Sequence, residues 1–333
     1  QTECENYNSI NIKQYLINLF KKSNKDIDFF LEISKSMYPD YDKSKKTYTD
    51  IYLNNLRNFF YKETKHSKFK NTRFHYSDIR DIIYSDLYNF IINNKFLESI
   101  TKSRDIFVDK IEFFIEKANI ISECVNIIII ALKSKKENFV NYINQTKNEN
   151  MKYYMKNIQK IVFEYNNEQV QSEIRDLLKK IIIGIKESMQ KIINQLYKIN
   201  KRIKKGDGYS FYEKDKVIYK LTTDLRYSTE KVSGFYAILT DLYTIRRFLD
   251  KKYINNIIFY GGGQHLTSIL NILVNNFDFS VINKNSNDLN LINIDKNYIK
   301  EYYKKYNYDS YKESKYIIHT QCSDLSKITK YFI

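Results

Sequence analysis

Apolar residues recur along most of this chain at the three- and four-residue spacing of a helix, and the rhythm shortens in three places. Ile12, Tyr15, Leu16 and Leu19 make the first apolar face. Asp26 to Met37 reads as a second helix, ended by Pro39, whose ring and missing N–H stop a helix. Lys65 to Arg73 is polar and basic and reads as a loop. Phe74 and Tyr76 then alternate with polar positions. That period predicts a strand over Arg73–Asp78, followed by a helix through Ile82, Ile83, Leu87 and Phe90.

From residue 103 to residue 205 the pattern is helical throughout. Its clearest stretch is Glu168 to Lys205, where Val170, Ile174, Leu177, Leu178, Ile181, Ile185, Met189, Ile192, Ile193 and Leu196 are read as one stripe. Lys201, Arg202, Lys204 and Lys205 crowd its last turn, where cations suit the negative end of the helix dipole. Gly206-Asp207-Gly208 breaks the pattern. Beyond it, Val232 to Leu249 reads as an amphipathic helix, Asn256–Tyr260 as a buried strand, Leu266–Asn275 as a helix and Phe279–Asn283 as another strand. The fold class expected is mixed α/β. A C-terminal strand–glycine turn–helix–strand unit would join the first strand, and a large helical layer or insertion would lie between them. The segments are 1–102, 103–205 and 206–333, the first and last forming one compact unit.

Composition changes this picture in two ways. The chain has 333 residues and a net charge of +16, from 55 Lys and Arg against 39 Asp and Glu. A field of that sign attracts polyanions and speeds their encounter. However, 31 Tyr, 21 Phe, no Trp, one Pro and seven Gly, with many Ile, Asn and Lys, follow AT-rich codons. Part of the lysine excess is therefore mutational drift. The longest apolar run, Ile120 to Leu132, is short and carries Glu123, so no membrane span is expected.

The cysteines are Cys4, Cys124 and Cys322, and no Cys/His spacing suits zinc; neither a metal nor a cofactor is expected. The odd count would suit a secreted chain with a bond to a partner, through Cys4, or within the chain from Cys4 to Cys322. Gln1 at the start fits either a mature chain after signal removal or a trimmed one.

The sharpest local signal is Gly261-Gly262-Gly263-Gln264-His265. Three of seven glycines stand together in a chain whose codons disfavour the residue. Between a strand and a helix they would allow positive φ and bring backbone N–H groups to an anion. His265 at the helix start is the candidate for proton transfer. A dinucleotide fingerprint would need glycine at 266, where Leu266 stands. No GxSxG elbow supports an esterase. Two further groups carry candidate chemistry. His75, Asp78 and Arg80 lie at a predicted strand end, either lining a cleft or forming a surface ion pair. Asp241, Tyr243, Arg246 and Arg247 form the other; Arg246 at three residues or Arg247 at four can share a helix face with Tyr243, as phosphate grips or as solvated arginines.

The blocks HYSDIR, DLYTIRRF and IIFYGGGQHL resemble short blocks of uncharacterised giant-virus proteins, which implies a shared α/β scaffold and no activity. The glycine turn ending in His265, the start Gln1-Thr-Glu-Cys4, the basic charge, the composition and the length are together similar to the ribotoxin subunits of yeast killer toxins encoded on linear plasmids. That resemblance implies a secreted, metal-independent tRNA anticodon nuclease acting in the cytosol of a target cell. Cleavage of a glutamine tRNA would leave a 2′,3′-cyclic phosphate. The partners implied are a chitin-binding delivery subunit and an immunity protein. The family's essential histidine maps to His265. Its acidic residue is assigned to Asp78 ahead of Glu3 and Glu5. Asp78, Arg80 and Arg246 join His265 as catalytic candidates. Gly262, Gly263, Gln264, His75, Tyr243 and Arg247 are expected to bind substrate. The competing expectation is a basic nucleic-acid-binding or viral structural protein without chemistry.

Overall fold

The structure is a computed structural model of the chain; it describes residues 12–34, 48–79, 104–205 and 216–280. Helix α1 is Ile12–Lys22, strand β1 Ile27–Ser34, helix α2 Tyr48–Lys65 and strand β2 Thr72–Asp78. Helices α3 (Arg104–Lys133), α4 (Lys136–Gln145), α5 (Glu149–Phe163) and α6 (Glu168–Lys205) follow, then α7 (Lys216–Asp250), strand β3 (Ile257–Tyr260) and helix α8 (Gly263–Asn276). The fold is mixed α/β, mostly helical, with a small parallel sheet in the order β2-β1-β3. The chain divides into two compact units, Gln1–Ile79 with Tyr243–Ile333, and Arg80–Leu242.

The sheet belongs to the first unit. Its central strand, Ile27–Ser34, falls within the segment Asp26 to Met37 that reads as a helix in sequence. The apolar residues Ile27, Phe29 and Leu31 occupy one face and pack on Leu16 and Phe20 of α1 and on Leu56 and Phe60 of α2. Phe30, on the other face, meets Phe248 of α7 edge-on, with ring centres 4.7 Å apart. A strand covered on both faces is apolar at nearly every position, and over eight residues that cannot be told from a buried helix by period. The phenylalanines of the aromatic strand β2 and its neighbours are core. Phe74 sits 5.7 Å from both Phe29 and Phe60 in edge-to-face geometry.

A charged residue at the centre of this sheet is fully buried. Asp28, on β1, is 0% exposed. Arg73, its register partner on β2, donates two bonds to it, Nε to Oδ1 at 2.8 Å and Nη2 to Oδ2 at 2.6 Å. His75 Nε2 lies 2.7 Å from Asp28 Oδ1, and its Nδ1 lies 2.8 Å from Nη2 of Arg247. A guanidinium only donates, so Nδ1 accepts and Nε2 carries the proton that goes to Asp28. Arg247 also donates to the carbonyl of Tyr76 at 3.0 Å, which ties the end of α7 to β2. The Asp28 backbone N–H donates to the carbonyl of Asn256 just before β3.

The second unit is built on α3 and α6, which run antiparallel. Lys204 near the end of α6 pairs with Glu112 near the start of α3 at 2.6 Å. At the other end Arg175 donates to the Leu132 carbonyl at 2.8 Å. Asn148 caps α5, and Asn167 accepts from the N–H groups of Gln169 and Val170 at the start of α6. Cys124 is buried in α3, and burial pushes its thiol up to about 12. No described helix is long and apolar enough to cross a membrane.

Phe279 and Ser280 are not in a strand as their pattern suggests. The Phe279 N–H instead bonds the Leu273 carbonyl at 3.2 Å, closing α8 around Asp278, whose φ is 55°. The rest of that expected strand, the expected helix through Ile82 and Leu87, and Cys4 and Cys322 lie outside the described residues.

Burial pushes the Asp28 carboxyl up, but the hydrogen bonds from Arg73 and His75 outweigh it and hold its pKa below the usual carboxylate value. A depressed carboxylate contributes stability above its unfolded pKa and loses it as pH falls. The unit should therefore weaken as pH drops through 3.8 toward the lowered folded value. Asp28→Asn should cost about 3 kcal/mol at neutral pH, the low end for breaking a buried pair, because Arg73 is partly exposed. The variant should also flatten the acid limb. Urea unfolding across the acid and neutral range measures both effects; an unchanged acid limb would contradict the assignment.

Candidate functional site

The chain enters the sheet at β1, goes to β2 on one side, and returns to β3 on the other. In an open parallel sheet the crevice between strands whose connections diverge is where ligands sit, beyond the strands' carboxyl ends. Here that crevice lies between β1 and β3. Glu32 stands at one side of it, and Gly261 and Gly262 follow β3 on the other.

Glu32 is re-aimed by a bulge. Leu31 pairs with Tyr76 and Ser34 with Asp78, so Glu32 and Ile33 together oppose Ser77. One extra residue in a ladder bends the strand and redirects a side chain. The Glu32 carboxylate crosses toward β3 and accepts the Gly262 N–H on Oε2 at 2.6 Å. Its Oε1 lies 3.2 Å from Nε2 of His265. His265 is the third residue of α8, counted from Gly262 as N-cap, and is 8% exposed.

Gly261 is held by crowding, not by handedness. Gly262 has φ −64° and ψ 149°, an extended conformation open to any residue. Neither Gly261 nor Gly262 adopts the left-handed backbone expected of them. A Cβ on Gly261 would meet the Phe259 ring at 2.6 Å and Glu32 Oε2 at 2.8 Å. One on Gly262 would meet the same oxygen at 3.4 Å. The turn is therefore a seat for the chain's own carboxylate. That carboxylate takes the backbone N–H and the positive end of α8 that the sequence pattern reserves for a substrate phosphate.

The candidate residues fall into two places along the sheet. Glu32, Gly262 and His265 are at the carboxyl edge. His75 and Arg247 are in the Asp28 network, where Arg247 lies over Phe30 and Tyr243 with its Cζ 5.4 and 5.9 Å from their ring centres. Asp28 and Glu32 are about 13 Å apart along β1 at 3.3 Å per residue. Arg247, expected to bind substrate, is thus spent on Tyr76 and His75, and His75 stacks on Phe30 at 4.4 Å. Arg246 is buried, at 7% exposed. Asp78 is half-buried at the end of β2, opposite Ser34, and the carboxylate beside His265 is that of Glu32. Gly263 and Gln264 lie in the first turn of α8, and Arg80 lies outside the described residues. Glu32 escapes a reading of the sequence because its strand looks like a helix. The signal present is the alternation of Asp28, Phe30 and Glu32 against Ile27, Phe29 and Leu31. Among the described residues no group of three His, Cys, Asp or Glu side chains could hold a metal ion.

The profile of DUF5847, a family of unknown function, matches residues 1–333. Three similar proteins come from Acanthamoeba polyphaga mimivirus and are uncharacterized. R160 is 26% identical, over 84% of this chain and 78% of its own length. R706 is 28% identical, over 84% and 77%. R161 is 27% identical, over 100% and 90%. The likeness to giant-virus proteins read from the short blocks is thus shown, and nothing in these matches supports identity with a yeast killer toxin. No solved structure matches the chain.

The crowding at the turn makes a specific prediction. A methyl group at residue 261 must displace either the Phe259 ring, which packs 6.2 Å from Phe248, or the Glu32 carboxylate. Gly261→Ala should therefore push Glu32 off Gly262 and His265, at a cost of about 1–3 kcal/mol, the usual range for overpacking. Imidazole NMR should show the His265 signals shifting as they do in Glu32→Gln. Wild-type His265 signals in Gly261→Ala would contradict the seat described.

Proposed function

The chain belongs to the DUF5847 family, which has no known function, so its activity must be argued from the site; from that premise we propose a metal-independent endoribonuclease that uses His265 and Glu32. One observation carries the proposal: an imidazole and a carboxylate paired at 3.2 Å at the switch point of a parallel sheet. Imidazole is the side chain that exchanges a proton most readily near neutral pH. A carboxylate on Nε2 fixes the ring's orientation, as the carboxylates of hydrolytic triads do. The chain's charge of +16 favours a polyanionic substrate.

In RNA the chemistry needs no outside reagent. His265 takes the proton of a ribose 2′-OH, and the 2′ oxygen bonds to phosphorus. The P–O5′ bond breaks, and the departing oxygen takes a proton from water. The products are a 2′,3′-cyclic phosphate and a 5′-OH. Glu32 is a positioning residue, fixed in turn by the Gly262 N–H.

The finer version of this reading follows the toxin resemblance. In it the substrate is the anticodon loop of a glutamine tRNA, and the chain is secreted to act in a target cell's cytosol. A chitin-binding subunit, joined through Cys4, delivers it, and an immunity protein protects the producer.

A second reading is favoured by the internal uses of the turn N–H and of Arg247. With those donors occupied, the crevice offers a phosphate fewer partners than a nuclease site usually does. That reading is a basic nucleic-acid-binding protein without chemistry.

Total tRNA incubated with the chain in EDTA separates the two. Cleavage should proceed and leave cyclic-phosphate ends. His265→Ala should slow it roughly 10²–10⁴-fold, the usual size for a positioned acid or base. Glu32→Gln should slow it about 10–100-fold, as loss of an orienting partner does. RNA affinity should change little in either. Intact tRNA with the wild-type chain, or normal cleavage by a well-folded His265→Ala, would give the binding protein precedence.

A further inference from the structure

The helical unit carries a feature that the catalytic reading does not use. Helix α6 has 38 residues, a rod of about 57 Å at 1.5 Å per residue. Ile174, Leu178, Ile185, Met189, Leu196 and Ile199 are all buried, so its apolar stripe is covered. The opposite side is exposed and basic. Between residues 180 and 201 there are five lysines, 180, 186, 191, 198 and 201, all exposed, and a single acid, Glu187.

These lysines are arranged in edges. At about 100° per residue, Lys180, Lys191 and Lys198 fall within about 20° of one another around the helix. Lys186 lies about 120° away, on the other edge. The strip between them carries Glu187, Gln190, Asn194 and Tyr197, with one apolar residue, Ile183, 65% exposed; Gln190 Nε2 donates to Asn194 Oδ1 at 3.1 Å, and Tyr197 is 52% exposed.

We propose that this outward face of α6 binds nucleic acid, holding an RNA backbone along its lysine edges while Tyr197 stacks on an unpaired base. The inference rests on the reading that the chain handles RNA, but not on cleavage. A line of cations gripping phosphates, interleaved with an aromatic ring, is how single strands are bound without sequence preference. An anionic membrane is the other polyanion with this charge. Helices that lie on bilayers insert a broad apolar face; on α6 that face is buried, and between residues 180 and 201 only Ile183 and Tyr197 stand out. The charge complementarity therefore favours RNA.

The test uses the full chain with His265→Ala as background, in EDTA, so that RNA stays intact. A labelled single-stranded RNA of about 20 nucleotides, long enough to span the face, is titrated over a range of roughly 50–300 mM salt. Lys180→Glu, Lys191→Glu and Lys198→Glu together should weaken binding at least about tenfold near the middle of that range. The salt slope should fall by about 2, at roughly 0.7 for each single-strand phosphate no longer neutralised. A control triple, Lys133→Glu, Lys135→Glu and Lys136→Glu, makes the same charge change elsewhere and should weaken binding less than about threefold. Tyr197→Ala should weaken binding about tenfold without changing the slope. If the first triple unfolds, the Lys→Gln triple replaces it, with about half the effect on the logarithm of affinity. Equal losses in the two triples would overturn the proposal, as generic attraction would suffice. So would unchanged RNA binding alongside lost binding to phosphatidylserine vesicles. If RNA binds through α6 but is never cut by the chain with His265 intact, this inference stands and the nuclease reading falls.

Discussion

The sheet is organised around a carboxylate buried from solvent. Asp28 sits in the central strand at 0% exposure, and an ion that deep costs several kcal/mol unless charged donors meet it. Arg73 and His75 meet it from β2, and its backbone N–H reaches the chain just before β3. Those bonds are specific to one register. A slip of a single residue would turn Arg73 and His75 to the opposite face, where Phe20 and Phe60 pack, and would strand the charge. Arg247 extends the constraint into α7 by binding both His75 and the Tyr76 carbonyl. The carboxyl edge of the sheet inherits its geometry from this anchor about 13 Å down the strand.

At that edge a second carboxylate has a different task. Glu32 is brought out of line by the bulge and lodged between β3 and α8. Its acceptance of the Gly262 N–H is a tertiary version of a helix cap, with a side chain from another strand standing where a local Ser or Asp usually does. The arrangement explains a glycine. Gly261 survives in a chain whose composition disfavours the residue because any larger side chain would share space with Glu32 and Phe259. A methyl group on Gly184 or Gly234 would meet nothing within 4 Å, and the structure gives no steric reason for either.

How far this is legible in the sequence depends on which residues carry the period. Helix α6 is plain, because one face is wet and the other dry over about ten turns. Strands β2 and β3 are visible to within a residue at their starts, since aromatic or β-branched runs beside polar turns mark them. Strand β1 is hidden because both its faces are covered, and with it go Glu32 and the sheet's centre. The glycines lead to His265, but for a different reason from the one their pattern suggests: they make room rather than turn left. The arginines near the end of α7 mislead for a related cause. A helix-end arginine looks solvent-facing in sequence, and only the buried aspartate network on strands far earlier in the chain reveals what Arg247 is for.

These two carboxylates also decide where a polyanion can be held. At the turn before α8 the Gly262 N–H is already taken by an internal anion, so that donor is not open to a phosphate. Arg73 on β2 and Arg247 near the end of α7 are likewise committed to Asp28, His75 and the Tyr76 carbonyl. Yet the chain carries a net charge of +16. Outside the sheet, α6 presents an aligned set of exposed lysines, the face proposed above to hold RNA. Phosphate contacts add a sequence-independent, salt-sensitive attraction, while acid–base groups act on one bond, so the two tasks need not share residues. Drift toward lysine codons can raise the first without disturbing the second.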